Sequence, residues 1–166
     1  LAYFNNEGNT DLGTILPPVH IVSIGIDKIL SRAEDLAVFV RLFARSALGT
    51  PATQYVSHYM SPPPEREYHI ILVDDDRSKR LGMSGFRNTL NCIHCGACLN
   101  TCPVYRRMGK VISYKAPIFR VLTPKFELKE NNELSFYSTL CGSCSAVCPV
   151  KIDITEQIQL WREEAV

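Results

Sequence analysis

The chain has 166 residues, and its 18 Lys and Arg residues nearly balance its 17 Asp and Glu residues, which leaves a formal net charge of +1. This balance gives no reason to expect a nucleic acid or an anionic membrane as a partner. No apolar run approaches the roughly 18 to 20 residues that a membrane-spanning helix needs. The chain opens at Leu1 on a strand-like segment without a signal peptide, so we expect it to be part of a longer protein.

Residues 1–75 contain no cysteine and combine strand-like with helical segments. Short runs rich in aromatic and β-branched residues predict four strands. These runs lie at 1–4, 20–26, 54–60 and 68–73. Because a helix is predicted between the second and third strands, at 31–49, we expect a layered α/β unit.

The predicted helix at 31–49 has recognisable ends and one apolar face. Ser31 and Glu34 have the spacing of a capping box, and Gly49 is a typical stop signal. The apolar face comprises Leu36, Phe39, Val40 and Phe43.

Residues 76–85 are polar, contain two glycines, and are predicted to be a linker. A second, mainly helical domain is expected at 86–166. A short helix at 84–91, capped by Ser84, is expected to lead into the first group of cysteines, and the segment 132–140 into the second.

The closing helix is predicted at 153–166. Asp153 would cap it and Glu156 would complete a capping box. Its apolar face comprises Ile154, Ile158 and Trp161.

All the cysteines lie between residues 92 and 148, and their number, seven, is odd. An odd number, confined to one region and without a secretion signal, argues against a disulfide framework. The pattern favours a reducing compartment, in which the thiols are kept for a metal. The cysteines are Cys92, Cys95, Cys98, Cys102, Cys141, Cys144 and Cys148.

The first group has the spacing C-x2-C-x2-C-x3-C-P, which is typical of bacterial two-cluster ferredoxins. In such proteins three cysteines wrap one cluster, and the fourth, about one helical turn onward, binds the other. Cluster one, predicted to be [4Fe–4S], therefore takes Cys92, Cys95, Cys98 and Cys148. Cluster two, [4Fe–4S] or [3Fe–4S], takes Cys102, Cys141 and Cys144.

The second group has one cysteine fewer than the first. Extending the same spacing backwards from Cys141 reaches Ser138, so the fourth position of cluster two is not a thiolate. Three outcomes remain open: a [3Fe–4S] cluster, a [4Fe–4S] cluster with an open or water-bound iron, or an oxygen ligand such as Ser138. Because fewer thiolates place less negative charge around the irons, the two clusters are expected to differ in reduction potential.

A structural zinc site is the weaker alternative, since zinc needs ligands in two separated pairs, whereas three cysteines crowd one short loop here. His94 lies inside that loop and is interpreted as a loop residue, with tuning of the cluster potential as the alternative. His20, His58 and His69 lie in strand-like runs and are interpreted as sheet residues rather than ligands.

The stretch between the two cysteine groups, 106–130, is strongly basic. We interpret it as a solvated loop, with a docking face for an acidic redox partner as the alternative. No paired carboxylates, Ser–His pair or phosphate-binding glycine loop is visible, so the chain is not predicted to contain a complete catalytic centre. The basic residues are Arg106, Arg107, Lys110, Lys115, Arg120, Lys125 and Lys129, against Glu127 and Glu130.

Both regions resemble one family, the iron–sulfur subunit of the bacterial L-lactate utilisation complex. The segments 6–30 and 34–57 resemble the end of that family's CoA-transferase-like LUD domain, and "LPPVHI" at 16–21 is the most specific part. The segments 86–109 and 138–154 resemble its two-cluster ferredoxin-like domain. The resemblance implies an α+β protein, in which a partial α/β LUD segment precedes a mainly α-helical dicluster domain.

The resemblance also implies an electron-transfer subunit of a cytoplasmic complex that oxidises L-lactate to pyruvate, with a cysteine-rich redox subunit among its partners. The loop at 109–119 departs from the family's usual pattern, which leaves a different partner or substrate open at that point. A second hypothesis is a ferredoxin-like module of another dehydrogenase or of a heterodisulfide-reductase-type complex. A third is an interaction module in which the clusters only brace the fold.

Overall fold

A computed structural model of the protein divides into two compact units, residues 1–75 and residues 76–166, and each is described by itself. Helices and strands both occur, which places the chain in the predicted α+β class. Among the residues described, no helix is long and apolar enough to cross a membrane. The structure describes residues 1–5, 8–62, 64–109, 117–122 and 132–164.

The first unit contains two separate two-stranded sheets. Strands β1 and β3 are antiparallel, whereas β2 and β4 are parallel. Parallel strands require a long crossover, and the segment between β2 and β4 supplies it with a helix. All four strands fall on the predicted strand segments: β1 is Ala2–Asn5, β2 is Val19–Gly25, β3 is Tyr55–His58 and β4 is Glu67–Val73.

Two helices accompany these strands, α1 at Asn9–Ile15 and α2 at Leu36–Leu48. The sequence analysis did not predict α1. The four residues of the predicted apolar face of α2 are all half-buried, Ala44 on the same helix is buried, and the helix ends at Gly49 as expected.

The predicted capping box of this helix is wrong. Arg32 has an extended backbone, and a 3-10 turn at Ala33–Asp35 precedes α2, so Ser31 lies too far upstream to cap the first turn. The side chain of Asp35, the residue before the helix, makes no capping hydrogen bond either.

Two of the three strand histidines have partners within the sheets, in agreement with their interpretation as sheet residues. His20 Nε2 lies 3.1 Å from the Tyr3 hydroxyl, and the His20 ring packs edge-on against Tyr68. His69 Nε2 lies 3.1 Å from a Glu67 carboxylate oxygen on the same strand. These contacts account for the two rings without a metal.

The second unit consists of short helices and turns. Within the described residues, 3-10 turns lie at Arg87–Asn91 and Asn132–Phe136. Its α-helices in the described ranges are α3 at Arg77–Leu81, α4 at Ala97–Asn100, α5 at Pro103–Met108, α6 at Pro117–Leu122, α7 at Ser143–Val147 and α8 at Ile154–Glu164.

The structure differs from the predicted linker at 76–85. Helix α3 lies within this segment, and the segment belongs to the second unit. Arg80 on α3 is 5% exposed and donates a hydrogen bond from Nη2 to the Leu122 carbonyl, at 3.2 Å. The predicted cap at Ser84 is also wrong, because the 3-10 turn at Arg87–Asn91 begins after Phe86.

The core of the second unit is built around the closing helix, α8. Its predicted apolar residues Ile154, Ile158 and Trp161 are all buried. Trp161 stacks on Phe86 with ring centroids 4.2 Å apart, and its indole N–H donates to the Val121 carbonyl at 3.1 Å. Removing these apolar side chains from water stabilises the unit, by about 1.5 to 3 kcal/mol for each large aliphatic one.

The predicted cap of α8 is confirmed. Asp153 Oδ1 accepts hydrogen bonds from the Glu156 backbone N–H at 3.1 Å and from the Ser145 hydroxyl at 3.0 Å. The second bond ties the start of α8 to α7, the helix of the second cysteine group. The last two residues of the predicted helix, 165–166, lie outside the described residues.

Candidate iron–sulfur site

The two cysteine groups build the same local structure. In each, a Cys-Gly-x-Cys segment places its glycine directly before a short helix, Gly96 before α4 and Gly142 before α7. Both glycines have a φ of +79°, a left-handed conformation that residues with a Cβ rarely adopt. The helices α4 and α7 pack against each other, so the repeat seen in the sequence is also a spatial pairing.

The last cysteine of each group has an extended backbone and is followed by proline. Cys102 precedes α5, in which Pro103 is the first residue, and Cys148 ends α7 and precedes Pro149. Proline suits the first position of a helix because its missing N–H would be unpaired there anyway. Both Cys-Pro cysteines are buried, at 5% and 7% exposure respectively.

The four cysteines that the spacing assigns to cluster one line a single cavity of about 230 Å³. Cys92, Cys95 and Cys98 come from the first group and Cys148 from the second. The other walls are largely apolar, with Ile118, Ile152 and Ile154 among them. Such walls keep water away from a bound group and lower the local dielectric.

Backbone N–H groups point at the sulfurs of this first cavity. The N–H of His94 lies 3.4 Å from Cys92 Sγ, and the N–H of Ile152 lies 3.4 Å from Cys148 Sγ. Burial raises the pKa of the Cys98 thiol to about 11, although a backbone hydrogen bond at Ile118 offsets part of the rise. A bound metal would be needed to keep Cys98 as a thiolate at neutral pH.

The three remaining cysteines line a second, much smaller cavity of about 10 Å³. Cys102 comes from the first group, and Cys141 and Cys144 come from the second. Ser138 lines the same cavity, which is where the spacing argument placed the missing fourth ligand. Holding a cluster here requires the lining side chains to rotate outward, and Cys141, which is exposed, has room to do so.

Hydroxyl groups surround the two thiols of the second group that line this cavity. Cys141 Sγ lies 3.5 Å from Ser143 Oγ, and hydrogen bonding with Ser143 lowers the pKa of the Cys141 thiol. Cys144 Sγ lies 3.7 Å from Thr155 Oγ1. Ser138 Oγ accepts a hydrogen bond from the Leu140 N–H at 3.1 Å, which fixes the position of its hydroxyl.

Arg120 is the residue of the second cavity that the sequence analysis missed. It was interpreted as part of a solvated basic loop, but it is 1% exposed on α6, so that interpretation is wrong for this residue. Its Nη2 lies 3.9 Å from Cys102 Sγ. The sequence signal for its burial was its position inside the apolar run "PIFRVL", at 117–122.

Two other arginines of the basic stretch, Arg106 and Arg107, are exposed, as a solvated loop predicts. The other charged residues of that stretch lie outside the described residues, as does most of the loop at 109–119 that differs from the family's usual pattern. These charged residues are Lys110, Lys115, Lys125, Lys129, Glu127 and Glu130.

The donor geometry matches a cluster better than a single metal ion. In the described parts of the chain, no three Cys, His, Asp or Glu side chains converge on one ion position. A mononuclear zinc site needs such convergence, whereas a cubane binds each thiolate at a different iron. All seven thiols are free, and together with the inward backbone N–H groups they form a donor set that fits two clusters.

A further cavity, of about 540 Å³, lies in the first unit, and no cysteine is among the described residues that line it. Two of its side chains contact the protein: His20 contacts Tyr3, and Arg66 contacts the carbonyl of Ile15. The cysteine cavities, rather than this one, carry the chemistry that the sequence indicates.

Comparison with known proteins agrees with both halves of this description. Residues 1–79 match the LUD domain family, and residues 88–152 match the 4Fe-4S dicluster domain family. No solved structure matches the chain significantly.

Curated relatives match almost the whole chain. Proteins named lactate utilization protein B are 40% identical in Oceanobacillus iheyensis, over 98% of this chain, and 40% identical in Bacillus pumilus, over 100% of it. The one from Shouchella clausii is 39% identical over 94% of the chain. The chain spans only 36%, 37% and 35% of these relatives, respectively. At about 40% identity over nearly its whole length, the chain belongs to the lactate utilization protein B family.

Proposed function

We propose that this chain is the electron-transfer part of an iron–sulfur subunit that serves the oxidation of L-lactate to pyruvate. The observation that carries the proposal is the division of seven cysteines between two cavities, with each group contributing to both. The names of the relatives supply the link to lactate. The first unit would then be part of a CoA-transferase-like LUD domain.

The proposed ligands of cluster one are the four thiols of the larger cavity, Cys92, Cys95, Cys98 and Cys148. The proposed ligands of cluster two are Cys102, Cys141 and Cys144, with Ser138 at the fourth position. When bound, such clusters accept and release single electrons. The residues of the chain would hold them, exclude water from the first with apolar walls, and direct N–H groups at the sulfurs.

The crossing of ligands gives the chain a way to couple its two sites. Cys102 follows the first loop directly but lines the second cavity, and Cys148 does the reverse. Helix α4 lines the first cavity, α7 lines the second, and the two helices pack against each other, which would hold the two sites in a fixed relation. A fixed and short separation is what electron transfer between two clusters needs.

Electrons are proposed to pass onward to a cysteine-rich redox subunit of the same complex, in the cytoplasm. The test is anaerobic purification of the full-length protein with its partner subunits. We expect about seven or eight irons per chain, cluster signals in electron paramagnetic resonance (EPR), and reduction of the clusters on addition of L-lactate.

Two outcomes would contradict the proposal. A protein that holds iron but is not reduced by L-lactate, while another donor reduces it, would favour a ferredoxin-like module of a different dehydrogenase or of a heterodisulfide-reductase-type complex. Clusters that no donor reduces reversibly would favour a purely structural role. D-lactate serves as the control for the substrate, because it has the same charge and size.

A further inference from the structure

Arg120 places a positive charge inside the core of the second unit. It is 1% exposed, and two of its neighbours on α6, Ile118 and Val121, belong to the apolar core. An arginine is rarely buried this completely unless something pairs with it. The guanidinium remains charged in proteins, so it cannot escape the cost of burial by losing its proton.

The surroundings of this guanidinium are incomplete. Its Nη2 faces Cys102 Sγ at 3.9 Å, and its buried Nε has no hydrogen-bond partner among the residues that the structure describes. No carboxylate within the described ranges forms an ion pair with Arg120. A buried charge without a counter-charge is strongly destabilising, so the side chain requires an anion at this place.

The second cavity offers such an anion once its thiols bind iron. Arg120 lines that cavity together with Cys102, Cys141 and Cys144. Neutral thiols would not balance a guanidinium, but thiolates around a cluster carry net negative charge. Among the described residues that line the first cavity there is no Lys or Arg, so the two sites differ in this respect.

We propose that Arg120 is a positioning residue of the second cluster site, which supplies the counter-charge for its three-thiolate cluster and raises its reduction potential. The inference rests on the proposed function, because it assumes that the second cavity holds a cluster. Reduction adds one electron and therefore one negative charge to the cluster. A fixed cation at the sulfur of Cys102 stabilises that charge, and it does so strongly in a buried site.

The test compares Arg120→Met and Arg120→Lys in the full-length protein, reconstituted anaerobically. Methionine fills a similar volume without a charge, whereas lysine keeps a positive charge and carries it on a compact ammonium group. In Arg120→Met we expect the equilibrium constant for reduction of the second cluster to fall at least tenfold, which is about 59 mV for one electron. Arg120→Lys should recover most of this change, and the first cluster should keep its potential in both variants.

Arg80→Met is the matched control. Arg80 is also a buried arginine of the second unit, at 5% exposure, but its guanidinium lies over the Trp161 ring rather than in the second cavity. Replacing it removes a buried charge from the same unit. It should leave both potentials unchanged. If the shift in Arg120→Met were a general effect of losing a buried arginine, Arg80→Met would change the potentials too.

The readouts are EPR-monitored redox titration and iron content, neither of which depends on lactate oxidation. Selective loss of the second cluster in Arg120→Met, with its return in Arg120→Lys, also supports the proposal. An unchanged second potential in Arg120→Met, or loss of both clusters in both variants, overturns it. A wild-type protein that reconstitutes only one cluster would contradict the proposed function itself.

Discussion

Cys98 and Cys148 line the same cavity although they belong to different cysteine groups. Both are nearly buried, at 8% and 7% exposure, and both belong to the apolar core of the second unit. The sulfur sites are therefore part of the core that holds the unit together. Loss of one ligand should affect a cluster and the packing around it at once.

The first prediction concerns Cys102 and Cys148, each of which lines the cavity built mainly by the other cysteine group. Cys148→Ser should remove the cluster held by the first loop, and Cys102→Ser should remove the other, because each serine weakens a different cavity. Each variant should lose about four of the seven or eight irons. Iron analysis and EPR of the full-length protein measure the loss.

The prediction is tested by which EPR signal disappears as well as by how much iron is lost. If Cys148→Ser abolished the same EPR signal as Cys141→Ser, the crossed arrangement would be wrong. Val147→Ala is a suitable control, since Val147 is exposed on α7 and is not among the residues that line either cavity.

A second prediction concerns the fourth position of cluster two. Ser138→Cys should supply the missing thiolate and lower the potential of that cluster, because a fourth thiolate adds negative charge. The first cluster should not respond. A redox titration monitored by EPR measures both potentials in one sample.

Thr139 provides the control for this substitution, because it lines the same cavity one residue along. Thr139→Cys places a thiol nearby but out of register with the ferredoxin spacing, and it removes a hydroxyl that hydrogen-bonds the Cys141 thiol, so it should shift the potential less than Ser138→Cys does. Equal shifts in the two variants, or none in Ser138→Cys, would mean that Ser138 does not face the open position.

The grouping of the cysteines into two cavities follows from the spacing, because a three-residue interval between thiols dictates a tight turn with few conformations. The four strands and the Asp153 cap were also predictable, since each depends on residues close in sequence. These are local properties, and local pattern is what a single sequence records best.

What the sequence could not predict depends on distant contacts. The apolar run around Arg120 indicates a buried helix, but the packing of α6 against the closing helix, α8, is a distant contact that the sequence does not show. Serine is a residue type that often caps helices, but the extended backbone of Arg32 places the start of the helix downstream of Ser31. At Arg120, tertiary packing overrode local preference.

A third prediction tests the core around the closing helix. Ile158 is 0% exposed, and truncation to alanine should leave a cavity beside Trp161 that lowers the free energy of unfolding by about 2 to 5 kcal/mol. Ile158→Val removes one methylene and should cost about 0.5 to 1.5 kcal/mol. Anaerobic urea unfolding, followed by the fluorescence of Trp161, the chain's one tryptophan, measures the difference.

Val147→Ala is the control for this series, because Val147 is 42% exposed on α7. Its effect should lie well below that of Ile158→Ala. If the alanine and valine variants of Ile158 unfolded at the same urea concentration, the tight packing described for α8 would not hold in solution.

The last prediction concerns the thiols of the metal-free protein. Thiolates, not thiols, react with alkylating reagents, so reactivity follows the pKa and the exposure of each sulfur. Cys141 is exposed and its pKa is lowered by hydrogen bonding with Ser143, whereas burial raises the pKa of Cys98 to about 11. At pH 8, a short pulse of iodoacetamide should therefore label Cys141 first and Cys98 last, as read by mass spectrometry of the peptides.

The pH dependence has a definite sign for each thiol. The Cys98 thiol stays protonated in the fold at pH values where an unperturbed thiol has ionised, so its labelling rate should reach half its maximum only at about pH 11. The corresponding midpoint for Cys141 should lie below the ordinary thiol pKa of 9.0. Unfolding in urea should equalise the two rates, because both shifts arise from the folded environment. Equal rates in the folded, metal-free protein would show that the first cavity is not closed to solvent.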